Sequence, residues 1–206
     1  MSALRPPIRA PQQSRSRETR QRLLETTIAS LAERGWSATT VGSVARQAGV
    51  SRGAAQHHFP TREDLITAAL EYMGEQRLAH VATAGAAVPE GPERPYAVAR
   101  LIVEYYTDDL FKAALHVWTA AASDDALRAR MLPFENRHSR EVFGLAMRLL
   151  GFDKDDEQAR RAVQTTLDLA RGLGLADLLS DDAARREQVV EFWGAQLASL
   201  AAARAG

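Results

Sequence analysis

The stretch Thr40–Leu65, TVGSVARQAGVSRGAAQHHFPTREDL, decides how this chain folds. Val41, Val44, Ala45 and Ala48 recur at helical spacing behind Thr40, whose hydroxyl can cap the first free backbone N–H groups. The spacing predicts a short helix from about Thr40 to Ala48. Gly49 then supplies a residue free to take positive φ, and Val50 the apolar contact that a helix-ending turn requires. Ser51 is placed to cap a second helix, from about Arg52 to His58, which closes at Phe59-Pro60 because proline turns the preceding residue away from helix. Two short helices around a glycine turn predict a helix-turn-helix, whose second helix lies in the major groove of duplex DNA.

The chemistry of that second helix suits the groove. Gly53, Ala54 and Ala55 keep it slim enough for its backbone to approach another surface. Arg52 carries a planar fork of donors that matches O6 and N7 of guanine, and Gln56, four residues on and so on the same face, can pair with adenine or bond a phosphate. His57 and His58 are phosphate donors by chemistry. Adjacent helical positions point about 100° apart, so one phosphate contact and one partly buried ring are expected. They lack the i, i+4 spacing of a helical metal pair, and no metal or cofactor is expected.

Working outward, a helix carrying Leu23, Leu24, Ile28 and Leu31 precedes Gly35-Trp36 and the Thr39-Thr40 pair; VARQAGVS, His58-Phe59 and a basic Arg62 follow. Over about Thr19 to Tyr72 this combination resembles the TetR family of one-component bacterial transcription regulators. The resemblance implies DNA contacts at Thr40, at the positions from Arg52 to His58 and at Arg62, with Thr40, His58 and Arg62 as phosphate anchors. Two departures stand out. Ala55 falls where a larger aliphatic is common, and Gln56 replaces the tyrosine that usually touches phosphate, which shifts Gln56 toward base reading.

Charge is distributed to match. The totals balance at 26 basic and 26 acidic residues, yet the first sixty residues hold nine arginines and no lysine against three glutamates. A basic end attached to an acid-rich body is the footprint of a DNA-binding domain with a non-binding partner domain. The Pro/Arg/Ser/Gln-rich residues 1–16 read as a flexible basic arm. Hydrophobic content of 46% supports a sizeable core, the absence of cysteine excludes disulfides and thiolate sites, and no apolar run is long enough to span a bilayer. A cytoplasmic protein is expected.

Beyond Arg62 the pattern is helical almost throughout. The spacing predicts helices over about Arg62–Thr83, Tyr96–Leu110, Asp124–Leu132 and Pro133–Leu149, then Glu157–Leu179 behind the acidic run DKDDE and a last helix behind Asp181-Asp182 to about Ala203. The fold class is all-α with about nine helices: an N-terminal three-helix DNA-binding domain over 17–77 and a helical effector-binding and dimerisation domain over 78–206. Tyr72, Tyr105, Trp118, Phe134, His138, Phe143 and Met147, with Asn136 as a polar anchor, are candidates to line a largely apolar effector pocket. Val163, Leu167, Ala170, Gly174, Val190, Trp193 and Leu197 form apolar stripes that, paired with their two-fold copies, can build a four-helix dimer interface, as the resemblance implies. An ordinary intramolecular bundle is the alternative. A homodimer is expected to read a palindromic operator, and an effector that prefers a different dimer geometry to release it.

Two other functions are compatible with parts of the chain. Glu135 and His138 form a Glu-x-x-His pair of the kind used in di-iron bundles, which would make an enzyme, although no second such pair occurs. Ala55 and Gln56 also leave room for a helical interaction protein that has lost DNA binding.

Overall fold

Thr40 sets the frame of the first compact unit, Met1–Met73. In the computed structural model, which describes residues 9–180 and 182–205, its hydroxyl accepts from the Ser43 amide at 3.1 Å while the Ser43 hydroxyl accepts from the Thr40 amide at 2.9 Å. This reciprocal cap opens α2 (Val41–Gln47). At its other end Gly49 takes φ 64°, and the Val50 amide reaches back to Ala45 O at 2.9 Å, closing a Schellman turn as the sequence predicts. Ser51 then caps α3 (Arg52–His58) through the Ala54 amide, and the chain leaves α3 at an extended Phe59.

Both helices pack on α1 (Arg9–Ala38), whose Leu23, Leu24, Ile28 and Leu31 are buried with Val44, Ala45, Ala55 and Phe59. Within α1, Gly35 departs from helical geometry at φ 73°, and buried Thr39 is held by Gly35 O and Ser30. The helix begins at Arg9, so residues 9–16 continue α1 where a flexible arm is expected; the part of that arm over 1–8 lies outside the described residues. Once Leu23 and Leu24 anchor the helix, each further N-terminal residue adds a backbone hydrogen bond without a new nucleation cost. The division between units falls inside α4 (Arg62–Ala86), whose N-terminus is closed by Thr61 and Asp64 bonding each other's amides.

In the second unit, Gly74–Gly206, α5 (Arg94–Tyr105) lies against both α8 (Glu157–Ala176) and α9 (Ala183–Ala205), while α6 (Asp109–Ala122) pairs with α7 (Asp125–Leu149). No strand occurs among the described residues. Two expected boundaries move. The predicted helix over Tyr96–Leu110 ends at Tyr105, because Asp108 caps a separate α6 through the Phe111 amide at 2.9 Å. The expected break at Pro133 is absent, and α7 runs through it. Pro133 is exposed, so solvent can replace the one hydrogen bond its missing N–H removes, and the flanking buried stripe holds the helix together.

Close packing fixes α8. An ideal Cβ on Gly174 would stand 1.8 Å from Tyr106 O, so only glycine lets α8 approach the end of α5. Asp156, from the acidic run, caps α8 through the Gln158 and Ala159 amides, and Arg204 of α9 binds the same carboxylate. The Arg204 bond and the amide bonds hold its pKa down to about 2. Asp182 pairs with Arg185 at the start of α9; Asp181, also expected there, lies outside the described residues.

Candidate nucleic-acid interface

Burial of Ala55 sets the orientation of α3. Counting 100° per residue from Ala55, Gly53 and His57 fall on the far side of the helix, Gln56 and Ala54 on its two flanks, and Arg52 and His58 about 60° from Ala55. The accessibilities agree: Arg52, Gly53, Gln56 and His57 are exposed, Ala54 and His58 half-buried, and Ala55 buried. The Ala55 that replaces a larger aliphatic is thus the residue that lets α3 lie tightly on α1 and α2. His58 packs its ring on Phe59, 6.2 Å between centroids, and burial, with His57 and Arg20 nearby, lowers its pKa. The two histidines therefore differ as their angular separation requires, and His57 is the exposed one.

Electrostatics single out the same unit. Arg15, Arg17, Arg20, Arg22, Arg34, Arg46 and Arg52 form no ion pair among the described residues. In the second unit, by contrast, Arg77, Arg94, Arg100, Arg128, Arg161, Arg171, Arg185, Arg186 and Arg204 each meet a carboxylate. Among the described residues the unpaired positive charge is thus concentrated in the unit that carries the helix-turn-helix.

Two expected phosphate anchors are engaged elsewhere. Arg62 lays its guanidinium over the Trp36 ring, 3.9 Å to the centroid, and donates to Trp36 O; its Nε is buried without a partner, and burial lowers its pKa. A cation held this way braces α4 on α1 instead of standing free in solvent. The Thr40 hydroxyl, although exposed, is shared with Ser43 in the helix cap.

The candidate effector residues do not gather around one hollow among the described residues. Tyr105 alone of the set lines a small apolar cavity of about 10 Å³, with Leu78, Val81, Ile102, Tyr106 and Val142 among its walls. Trp118 borders a separate groove of about 170 Å³ with Ala121, Met131, Leu132 and Glu135. Phe134 stacks on His138 at 5.4 Å, Phe143 lies under Arg160, and Met147 is core. Tyr72 is half-buried in the first unit, and Asn136 is exposed. The Tyr105 hydroxyl meets His138 Nε2 at 2.5 Å; burial raises the phenol pKa and lowers that of the imidazole. Apolar side chains close on each other to crystalline density, which leaves little free volume between them. Glu135, the partner of His138 in the Glu-x-x-His pair, accepts from Ser139 at 3.1 Å, and no three His, Asp or Glu side chains converge as a metal site among the described residues.

Most of the stripe expected at a dimer interface faces the interior of the single chain. Val163, Leu167, Ala170, Gly174, Val190 and Leu197 are buried inside the single chain, and Trp193 is half-buried, donating to Thr166 at 2.8 Å. Sequence periodicity finds the apolar face of a helix but not which neighbour covers it, and α5 covers this one. Among the described residues the large apolar side chains left open are different ones: Leu132, Leu175, Leu178, Leu179 and Phe192 are 48, 57, 40, 96 and 67% exposed. Sequence reasoning missed them because these residues lie outside the continuous stripes.

Comparison with known proteins agrees with this geometry. Residues 23–69, which include α2 and α3, match the family model described as bacterial regulatory proteins, tetR family. Over 186 residues the chain is 30% identical to the HTH-type transcriptional regulator CymR of Pseudomonas putida, covering 89% of this chain and 91% of that one. A TetR-family transcriptional regulator from Rhodococcus sp. superposes with TM-score 0.67 at 19% identity, covering 88% of this chain and 99% of that one. A transcriptional regulator from Saccharomonospora viridis in complex with choline superposes with TM-score 0.66 at 20% identity, covering 86% and 95%. A helix-turn-helix with an exposed recognition face, a cluster of unpaired arginines and a curated relative matched along nearly its whole length place this chain in the tetR family of bacterial transcriptional regulators.

Proposed function

We propose that the chain is a repressor that binds an approximately palindromic operator as a two-fold dimer and is released by a small, largely apolar effector. The carrying observation is the exposed Arg52–Gln56 face of α3, beside which Arg20 stands over the Phe59 ring without a carboxylate partner among the described residues. Arg52 and Gln56 read base edges, His57 contacts phosphate, and Gly53 and Ala54 keep the backbone close to the groove. Thr40 and Arg62 act by holding α2 and α4 in place.

One seven-residue helix spans too few base pairs to be selective, so two copies are needed. Leu175, Leu178, Leu179 and Phe192 form the self-complementary apolar patch of that dimer. The effector site lies behind Tyr105 and His138, whose hydrogen bond offers a polar anchor beside the small apolar cavity. A ligand that opens this cavity favours a second conformation, and it weakens DNA binding only by its difference in affinity for the two. The choline held by the Saccharomonospora viridis regulator supports a small-molecule effector of modest size. A bound dimer blocks polymerase without any further contact surface, which favours repression over activation.

Selection of bound fragments from genomic DNA, followed by footprinting of the purified protein, tests the reading. Two inverted half-sites centred about one helical turn, or a multiple, apart are expected. Protection of one isolated half-site, or no preference over mixed-sequence DNA, overturns it.

A further inference from the structure

We propose that the exposed N-terminal part of α1 is a second DNA-contact element that grips the phosphate backbone through Arg17 and Arg20. The proposal rests on the DNA-binding reading above but concerns a different helix.

From Gln13 onward, Leu23 is the first buried residue of α1. At 1.5 Å per residue the exposed segment from Gln13 to Arg22 is about 15 Å long. Between Gln13 and Arg22 only Thr19 is even half-buried, and the segment QSRSRETRQR contains no apolar side chain, so it has nothing with which to dock on a protein core. It carries Arg15, Arg17, Arg20 and Arg22 against Glu18 alone. That carboxylate accepts from Ser14 at 2.8 Å and pairs with none of the arginines.

The arginines fall on two faces. Leu31, Thr27 and Leu24 form the stripe of α1 that is buried in the first unit, and steps of three, four and seven residues continue that stripe outward as Arg20, Arg17 and Gln13. Arg15 and Arg22 lie close to the opposite side. The structure fixes where the first stripe leads, because Arg20 sits 5.4 Å from the centre of the Phe59 ring, and Phe59 is the residue that ends α3. The basic stripe is therefore continuous with the end of the recognition helix, and Arg17 extends it by about one turn. A phosphate backbone flanking the groove that α3 enters supplies the complementary charge, and guanidinium forks suit phosphate oxygens. An anionic membrane offers charge as well, but the stripe has no apolar residue to insert.

The two faces supply their own control, since Arg17→Gln and Arg22→Gln remove the same charge from opposite sides of one helix. Affinities of the full-length variants are measured on a duplex selected from genomic DNA, on a mixed-sequence duplex of equal length and on anionic vesicles. At about 0.1 M salt Arg17→Gln is expected to weaken both duplexes about 5- to 10-fold and to reduce the slope of log K against log salt by about one. Arg22→Gln is expected to change neither duplex more than about twofold, and Arg17→Lys to recover most of the loss. Equal losses from Arg17→Gln and Arg22→Gln, no loss from Arg17→Gln, or a loss confined to vesicles overturns the proposal. Wild-type selectivity in an Arg52→Ala variant overturns the recognition-helix reading instead, a failure read separately from Arg17.

Discussion

Arg62 and Trp36 are joined twice, by a guanidinium 3.9 Å from the indole ring centre and by a donor to the Trp36 carbonyl. The side chain that opens α4 is thereby fastened to the last turn of α1, with its guanidinium partly buried. Arg62→Ala is expected to lower the stability of the DNA-binding unit by about 1–2 kcal/mol, with Lys restoring less than half because it lacks the planar face. Thermal unfolding measures this. An unchanged melting temperature together with a flatter salt dependence of DNA binding would return Arg62 to the phosphates.

Arg52→Ala and Gln56→Ala are each expected to cost about 1–3 kcal/mol at the selected operator and to relax preference at the base each one reads. Affinity for mixed-sequence DNA should fall much less for Gln56→Ala, which removes no charge. Repeating the selection with each variant checks the assignment; an unchanged consensus for both would remove them from the reading face.

His138 is stacked between Phe134 and Tyr105, and burial lowers its pKa from 6.5. A histidine that is harder to protonate in the folded chain contributes stability above its unfolded pKa and loses it as pH falls through and below about 6.5. Acidification from about pH 7 to 5 should therefore destabilise the second unit, and His138→Gln should flatten that dependence. Tyr105→Phe, which leaves the imidazole without its partner, should cost about 1–2 kcal/mol at neutral pH. Denaturant titrations across the pH range give both quantities. A wild-type pH slope in His138→Gln would place the titrating group elsewhere.

Gly174 and Gly172 stand two residues apart in α8 and should respond oppositely to alanine. At Gly174 the added Cβ collides with the Tyr106 carbonyl, which predicts a loss of about 3 kcal/mol or more. At exposed Gly172 nothing lies within 4 Å, so helix propensity alone acts and a gain of up to about 1 kcal/mol follows. Chemical denaturation of the two variants compares them directly.

Leu179→Glu with Phe192→Glu should shift the chain from dimer to monomer in sedimentation equilibrium while leaving its helicity intact, because both side chains are exposed in the single chain. Val163→Glu, by contrast, should unfold it, since Val163 is fully buried. A double variant that remains dimeric would locate the interface elsewhere.

Local geometry was legible wherever neighbours in sequence create it. The capping hydroxyls of Thr40 and Ser51, the positive φ of Gly49 and the carboxylate of Asp156 act within a few residues of themselves, and each sits in the structure as its spacing predicts. Where a long-range contact competes with a local signal, spacing alone misleads. Pro133 looks like a helix start until the packing of α7 carries the helix through it, and the DNA-anchor pattern at Arg62 gives no hint that Trp36, 26 residues earlier, captures the guanidinium.

The amino-acid sequence alone determines that this chain is all-helical, that residues 40–59 form a helix-turn-helix and that positive charge collects at one end, because periodicity, capping and charge are properties of short segments. Tertiary structure alone decides which apolar faces remain open. Val163, Leu167 and Leu197 and the exposed Leu179 and Phe192 are all apolar, and only the placement of α5 against α8 and α9 separates core from surface. It likewise decides which arginines are free: an ion pair depends on where the rest of the chain brings a carboxylate, and no local spacing carries that information.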